Sequence, residues 1–363
     1  ELINAVEKLS GDLCISRPQS RLSWGIELPF DPDYVTYVWF DALTNYISFI
    51  GYDPAAKNWE DQPEEFREKW PALHIIGKDI LIPAHGIYWP IMLKALGFPD
   101  EQMPKFLVHG WWNISGAKMS KSLGNVIDPD QLADKYGAEA LRYYLMSDIN
   151  TGKDSDFLED RLVSQYNSDL ANSLGNLLNR SVNMLWKYRL GVLQAPADMQ
   201  DYLVLDSSNN LPSNFDLVGT FRLMTQGFYR TEFDQAEVDG ALVGVMNVSN
   251  AANRYVELGA PWKIAKDPAR HIHLDAVLHA LAESLRIIAI LVSPILPKAA
   301  HGIFDQLNWE MEPELAGKEA RFSLADAEWG KLPDGHVVGK PTPLFPRIEM
   351  TPDKSDIADI LIE

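Results

Sequence analysis

A single cysteine, Cys14, stands in 363 residues. That excludes an internal disulfide and a cysteine-based zinc site, so a cytoplasmic setting is the simplest expectation and Cys14 reads as a small packing residue. Positive charge is also scarce: 32 Lys and Arg stand against 51 Asp and Glu, a formal net charge of -19. Indiscriminate nucleic-acid binding is thereby excluded, because neutralising phosphates needs clustered cations. Any nucleic acid must be met by a local surface. The longest apolar run, "LRIIAILVSPILP" at 285–297, contains Pro294 and falls short of the roughly 20 residues that span a bilayer. Nothing marks a membrane or secreted protein. Apolar residues are not lacking: a hydrophobic fraction of 46% with 11 tryptophans excludes a disordered chain. The length exceeds what one core of at most roughly 250 to 300 residues holds, so two or three units are expected. "ELINAVEKL" opens as a helix already under way, from which we expect a piece of a longer protein.

The first third mixes strand-like and helical runs. "DYVTYVWFDAL" (33–43), "ALHIIGKD" (72–79) and "KFLVHGW" (105–111) are rich in β-branched and aromatic residues and read as strands, with a helix in "PAHGIYWPIMLKALG" that stops near Gly97. Strand, helix, strand implies parallel pairing through crossovers. From Asp128 the period becomes helical. "DPDQLADKYGAEALRYYLM" opens on an Asp-Pro entry signal, and the long amphipathic pattern from Leu158 to Arg189 is interrupted only by Gly175. Further helices are expected near 215–230, 235–258 and 270–293. The acidic, Pro-rich tail from about 308 is expected to pack loosely across the other units.

In open α/β sheets ligands collect beyond the carboxyl ends of the strands. Reading each strand to its end gives Trp39, Asp41 and Ala42 with Tyr46 a turn further on, then Gly77, Lys78 and Asp79, then His109 and Gly110. Together these offer an apolar slot, a carboxylate for sugar hydroxyls and cations for phosphate. Each also has a plainer reading: Trp39 and Tyr46 as core, Asp79 as a helix cap, His85 and Trp89 as a packed pair one turn apart. After the third strand, "ISGAKMSKSLGN" (114–125) places Lys118 and Lys121 among glycines and serines, a composition that favours a mobile loop able to grip and release an anion.

The pentapeptide "KMSKS", Lys118 to Ser122, has a chance on the order of one in ten thousand of arising in a chain this long. It resembles the second signature of class I aminoacyl-tRNA synthetases, as do "LGNVIDP" and "YGAEALRYYLM"; "YVWFDAL" and "IGKDI" are similar to methionyl-tRNA synthetases in particular. The resemblance implies methionine as the amino acid and ATP with Mg2+ as its co-substrate. It places catalysis on Lys121, assisted by Lys118, ATP on Gly77, Asp79 and Lys121, and methionine among Trp39, Ala42, Leu43, Tyr46, Ile80 and His85. Two departures stand out. The segment between Asp79 and His85 is one residue longer than the family pattern, and the first class I signature, a His-x-Gly-His type motif, is absent from this sequence. The family's zinc-bearing insertion would lie upstream, so no metal site is expected here.

The resemblance further implies that Asn176, Arg180 and Trp262 read a CAU anticodon. Asn176 and Arg180 are four apart and share a helix face, with Arg161, Lys187 and Arg189 along the same helix as a cationic side; beside Asn176, Gly175 would admit a close approach of RNA. The expected fold is α/β followed by all-α. Residues 1–104 form the second half of a Rossmann-like parallel sheet domain, 105–158 the lysine-loop connective unit, 159–307 a helical anticodon-binding bundle and 308–363 an extension packing on the others. The expected function is methionine–tRNA ligation, with methionine, ATP, tRNA(Met) and a missing N-terminal half of the enzyme as partners. The alternatives are another class I specificity or a non-catalytic tRNA-binding module.

Overall fold

The computed structural model describes residues 2–9, 13–120, 124–197, 215–309 and 322–349. Lys121 and, in the acidic tail, residues 310–321 and 350–363 lie outside the described residues. The chain divides into two compact units: residues up to 112 with 152–155, and 113–151 with those from 156 onward.

In the first unit, strands Leu73–Gly77 and Lys105–His109 pair in parallel, in register from Leu73 with Lys105 to Gly77 with His109. The helices between them make the crossover a parallel pair requires. The expectation for 33–43 is corrected. Only Asp31–Thr36 is strand, and it pairs antiparallel with Ser16–Pro18 and Glu27–Leu28 in a separate three-stranded sheet. From Val38 to Ser48 the chain is helical, with Asp41 in the first turn, where a carboxylate suits the helix dipole. The reason is packing: Leu43 and Ile47, four apart, are both buried in a core with Phe66, Trp70, Trp89, Leu93 and Phe98. A strand would turn 46 to the face opposite 39 and 43; the helix puts all three on one.

After Asp79 the chain is kinked. Within Leu81–Tyr88 the helical path is interrupted at Ile82, whose φ -114°, ψ 124° is extended, and wide turns follow it up to the α-helix Trp89–Ala95. His85 and Trp89 are one turn apart, both buried.

The second unit is helical around His271–Val292, whose residues are all buried from Leu274 to Val292. The apolar run at 285–297 is thus the centre of a bundle, and no helix among the described residues is long and apolar enough to cross a membrane. Helix Val238–Gly259 and the helical stretch Glu159–Arg189 pack around it. That stretch runs through Gly175 without a break, its middle, Tyr166–Gly175, being π-helical. Asp128 caps helix Pro129–Tyr136 through the Asp130 N–H, as its Asp-Pro start predicts.

Loose packing of the tail is also corrected for residues 322–349. Glu283 and Arg286, one turn apart on the central helix, are both fully buried and paired at 2.6 Å. Glu283 accepts the N–H groups of Gly330, Lys331 and Leu332, while Arg286 donates to the carbonyls of Asp326 and Glu328. Burial alone would raise the Glu283 carboxyl, but Arg286 and these amides hold it below the usual carboxylate range.

Candidate functional site

The first unit holds a largely apolar cavity of about 470 Å³. Of the residues expected around methionine, Trp39, Leu43 and Ile80 line it, with Asp79 at its wall. Tyr46 and His85 stand behind these: the Tyr46 hydroxyl is 2.9 Å from His85 Nε2, and Trp39 meets the His85 ring edge-on at 6.3 Å. Ala42 is solvent-exposed and does not line the cavity. Gly77 leaves room for Asp79, since a Cβ there would stand 2.7 Å from the Asp79 Oδ1.

Sequence reasoning missed other parts of the wall, which include Cys14, Arg17, Tyr37 and Phe40. The Arg17 guanidinium lies 3.9 Å from the Tyr37 ring centroid and donates to Cys14 Sγ at 3.4 Å. Cys14 is exposed on this wall, and its thiol donates to the Ser16 carbonyl, so the expectation of a packing residue is corrected. A three-residue strand carries no periodicity, which is why "CISR" gave no signal.

The histidines are held in fixed tautomers by their partners. His85 Nδ1 faces the Ile80 carbonyl at 2.9 Å and so carries the proton, which leaves Nε2 to accept from Tyr46. Behind them His74 accepts the Trp89 indole N–H at 3.3 Å, stacks on Phe106 and meets Tyr46 at 4.4 Å. Burial, with the neighbouring His85, pushes the His74 imidazole down to about 4. The unfolded chain takes up a proton near pH 6.5 that folded His74 refuses until about pH 4, so stability falls as pH drops through that window. This loss is on the order of 2 kcal/mol. Denaturant midpoints at pH 7 and pH 4.5 check it: His74→Phe is expected to reduce the difference between them, and an unchanged difference refutes the assignment.

At the strand end, Lys78 is engaged within the first unit, its ammonium 2.5 Å from Asp154 and 4.2 Å above the Trp111 ring. In the second unit, the stretch carrying Lys118 starts as a hairpin rather than a mobile loop. Asn113 pairs with Lys118 and Ile114 with Ala117, across a two-residue turn in which Ser115 and Gly116 both have positive φ. Asn125 closes the far side, accepting the Ser120 N–H at 2.8 Å and donating to the Lys118 carbonyl at 3.3 Å. Asn125 is a second residue the sequence reading missed; its place after Gly124, at φ 65°, was the available signal.

On the helical unit, Asn176 is exposed, and Arg180 one turn later lies with its guanidinium 5.8 Å from the Trp262 ring centroid. Arg180 also pairs with Glu257 at 2.6 Å. The expected cationic side is largely neutralised: Arg161 binds Asp148 and Arg189 binds Asp275, while Lys187 leans over the Tyr188 ring. Sequence alone does not show which arginines of an acidic chain find a carboxylate. Gly175 is corrected too. The space its missing Cβ would fill is bounded by the Leu170 carbonyl at 2.9 Å and Phe345 at 3.3 Å, so the tail covers it rather than leaving it open.

The comparisons with known proteins agree with this arrangement in class. Residues 3–182 match the profile of "tRNA synthetases class I (M)". Residues 218–357 match "Anticodon binding domain of methionyl tRNA ligase", and the chain belongs to the methionyl-tRNA synthetase family. It is 39% identical over 353 residues to the methionine–tRNA ligase of Caldanaerobacter subterraneus, covering 96% of this chain and 50% of that one. With the Fusobacterium nucleatum enzyme it shares 37% over 362 residues, 99% and 52% of the two chains. The crystal structure of Mycobacterium tuberculosis methionyl-tRNA synthetase bound by methionyl-adenylate superposes with a TM-score of 0.78 at 32% identity, covering 95% of this chain and 62% of that one. The chain therefore spans about half the length of the curated relatives it matches.

Proposed function

We propose that this chain is the part of a methionine–tRNA ligase that holds methionine, carries the lysine loop and reads the anticodon. The whole enzyme activates methionine with ATP and Mg2+ to methionyl-adenylate and transfers it to tRNA(Met). The observation that carries this reading is the apolar cavity walled by Trp39, Leu43 and Ile80 with a carboxylate, Asp79, beside it. A thioether gains from apolar burial and aromatic edges, and the Tyr46–His85 hydrogen bond behind fixes the shape of the slot. Asp79 would accept from the ATP ribose hydroxyls. Methionine's carboxylate attacks the α-phosphate, pyrophosphate leaves, and Lys121 with Lys118 stabilises the charge on the phosphate oxygens.

The sheet is read as half of a Rossmann-like domain over residues 1–104. In its support, strand Leu73–Gly77 buries His74 and Ile76 yet leaves Leu73 and Ile75 more than half exposed, an apolar face suited to a further segment of the same enzyme. Residues 105–158 are assigned to the connective unit, 159–307 to the anticodon domain and 308–363 to the extension. A cytoplasmic location accords with the lone cysteine.

Asn176, Arg180 and Trp262 are assigned to the anticodon. An exposed indole beside a guanidinium can stack a splayed base while Asn and Arg hydrogen-bond base edges. The chain is expected to bind a CAU anticodon stem-loop about tenfold or more tightly than one with an altered first base, from roughly 1 to 3 kcal/mol of edge recognition. Trp262→Ala is expected to abolish the preference. Equal affinity for both stem-loops in the unmutated chain, by fluorescence anisotropy at moderate salt, refutes the assignment.

A further inference from the structure

The C-terminal segment runs along the Glu159–Arg189 helical stretch in the opposite direction. Val338 N–H donates to the Gly191 carbonyl at 2.8 Å, and the Trp186 indole donates to the Gly339 carbonyl at 2.6 Å. Further along, Phe345 lies against Gly175 and meets Tyr166 edge-on at 6.4 Å. At the far end the Asn167 side chain holds both backbone groups of Ile348: Nδ2 donates to its carbonyl at 2.8 Å, and Oδ1 accepts its N–H at 2.9 Å. The last two contacts bracket the π-helical turns Tyr166–Gly175, which end where Asn176 begins.

Those wide turns set the direction of everything after them. Each α-helical residue turns the axis by about 100°, so losing or gaining one residue in a turn rotates the downstream face by that angle. Here the downstream face carries Asn176 and Arg180, with Arg180 held beside Trp262. Wide turns free carbonyls that need other donors. The Ser173 carbonyl takes one from Asn253 Nδ2 at 3.0 Å, and Ser173 Oγ joins Ser249 and Asn250 inside the bundle. On the outer side, Gly175 lacks the Cβ that would crowd the Leu170 carbonyl, and Phe345 fills the space.

We propose that Asn167, Gly175 and Phe345 are positioning residues for anticodon recognition: the C-terminal segment holds the wide turns open and so aims Asn176 and Arg180 to the side on which Trp262 stands. This rests on the anticodon assignment above. None of the three is required to touch RNA.

The test uses the 363-residue chain and two stem-loops, CAU and GAU, with the ratio of their dissociation constants as the readout. Phe345→Ala and Asn167→Ala are expected to lower that ratio by about tenfold, the size of one misdirected edge contact. Gly175→Ala should do the same, and Phe345→Leu, which refills the space, should restore most of it. Amide hydrogen exchange over residues 166–176 is expected to quicken in the variants that lose the ratio. A lower melting temperature with an unchanged ratio overturns the inference, as does an equal loss of affinity for both RNAs. Absence of any preference in the unmutated chain overturns the anticodon assignment and this inference together, whereas a preference that survives Phe345→Ala, Asn167→Ala and Gly175→Ala overturns the inference alone.

Discussion

Lys121→Ala in the complete enzyme is expected to lower the rate of methionyl-adenylate formation by about 10² to 10³-fold, the scale on which one preorganised charge donor acts at a transition state. As methionine's carboxylate closes on the α-phosphate, negative charge spreads over the phosphate oxygens, and a cation counts most if it arrives at that moment. The surroundings of Lys118 suit such delivery. A tight turn at Ser115–Gly116 and the two hydrogen bonds of Asn125 fix the backbone on either side of Lys118. Methionine affinity is expected to stay near the parent value, because the apolar cavity is built wholly from first-unit residues. Single-turnover adenylation beside equilibrium methionine binding separates the two. A large loss of binding with little loss of rate would reverse the assigned role.

Arg286→Met is expected to destabilise the helical unit by roughly 3 to 5 kcal/mol, since it strands a buried carboxylate without its counter-charge. Glu283 would keep its three amide donors but lose the guanidinium, and the carbonyls of Asp326 and Glu328 would lose theirs. Equilibrium urea unfolding measures the loss. The pair also predicts a pH response: the Glu283 carboxyl is held below its ordinary 4.5, so its contribution is present above that pH and is lost as pH falls through the folded value. In Arg286→Met the acid-side loss should shrink. A change below about 1 kcal/mol in both measurements would show that Arg286 is dispensable, as exposed pairs are.

What the sequence made legible was periodic. Helices Val238–Gly259 and His271–Val292 fall where the apolar 3.6 repeat placed them, and the parallel strands Leu73–Gly77 and Lys105–His109 fall where short β-branched cores did. The run at 33–43 misled because its β-branched and aromatic composition fits a strand, while the burial of Leu43 and Ile47 against Trp89 and Phe66 selects a helix. Of the candidate site, Trp39, Leu43, Ile80 and Asp79 come together on one cavity, whereas Arg17 arrives through a strand pairing, with Cys14 just before that strand, that no local pattern announces. The neutralisation of Arg180 by Glu257 is likewise a long-range contact. The tail was illegible for a different reason: many of its contacts run through main-chain N–H and C=O groups, which every sequence possesses, and its apolar side chains follow no helix or strand period.

The clasp between Asn167 and Ile348 joins residues 181 positions apart. During synthesis at about 5 to 20 residues per second, Asn167 emerges on the order of ten seconds or more before its partner exists. Over that interval the apolar side of Tyr166 awaits Phe345, and the carbonyls that will meet Trp186 and Arg286 have not been made. The C-terminal segment is therefore the last part to join the bundle, and the ribosome's own pace sets how long the Glu159–Arg189 stretch stays unfastened.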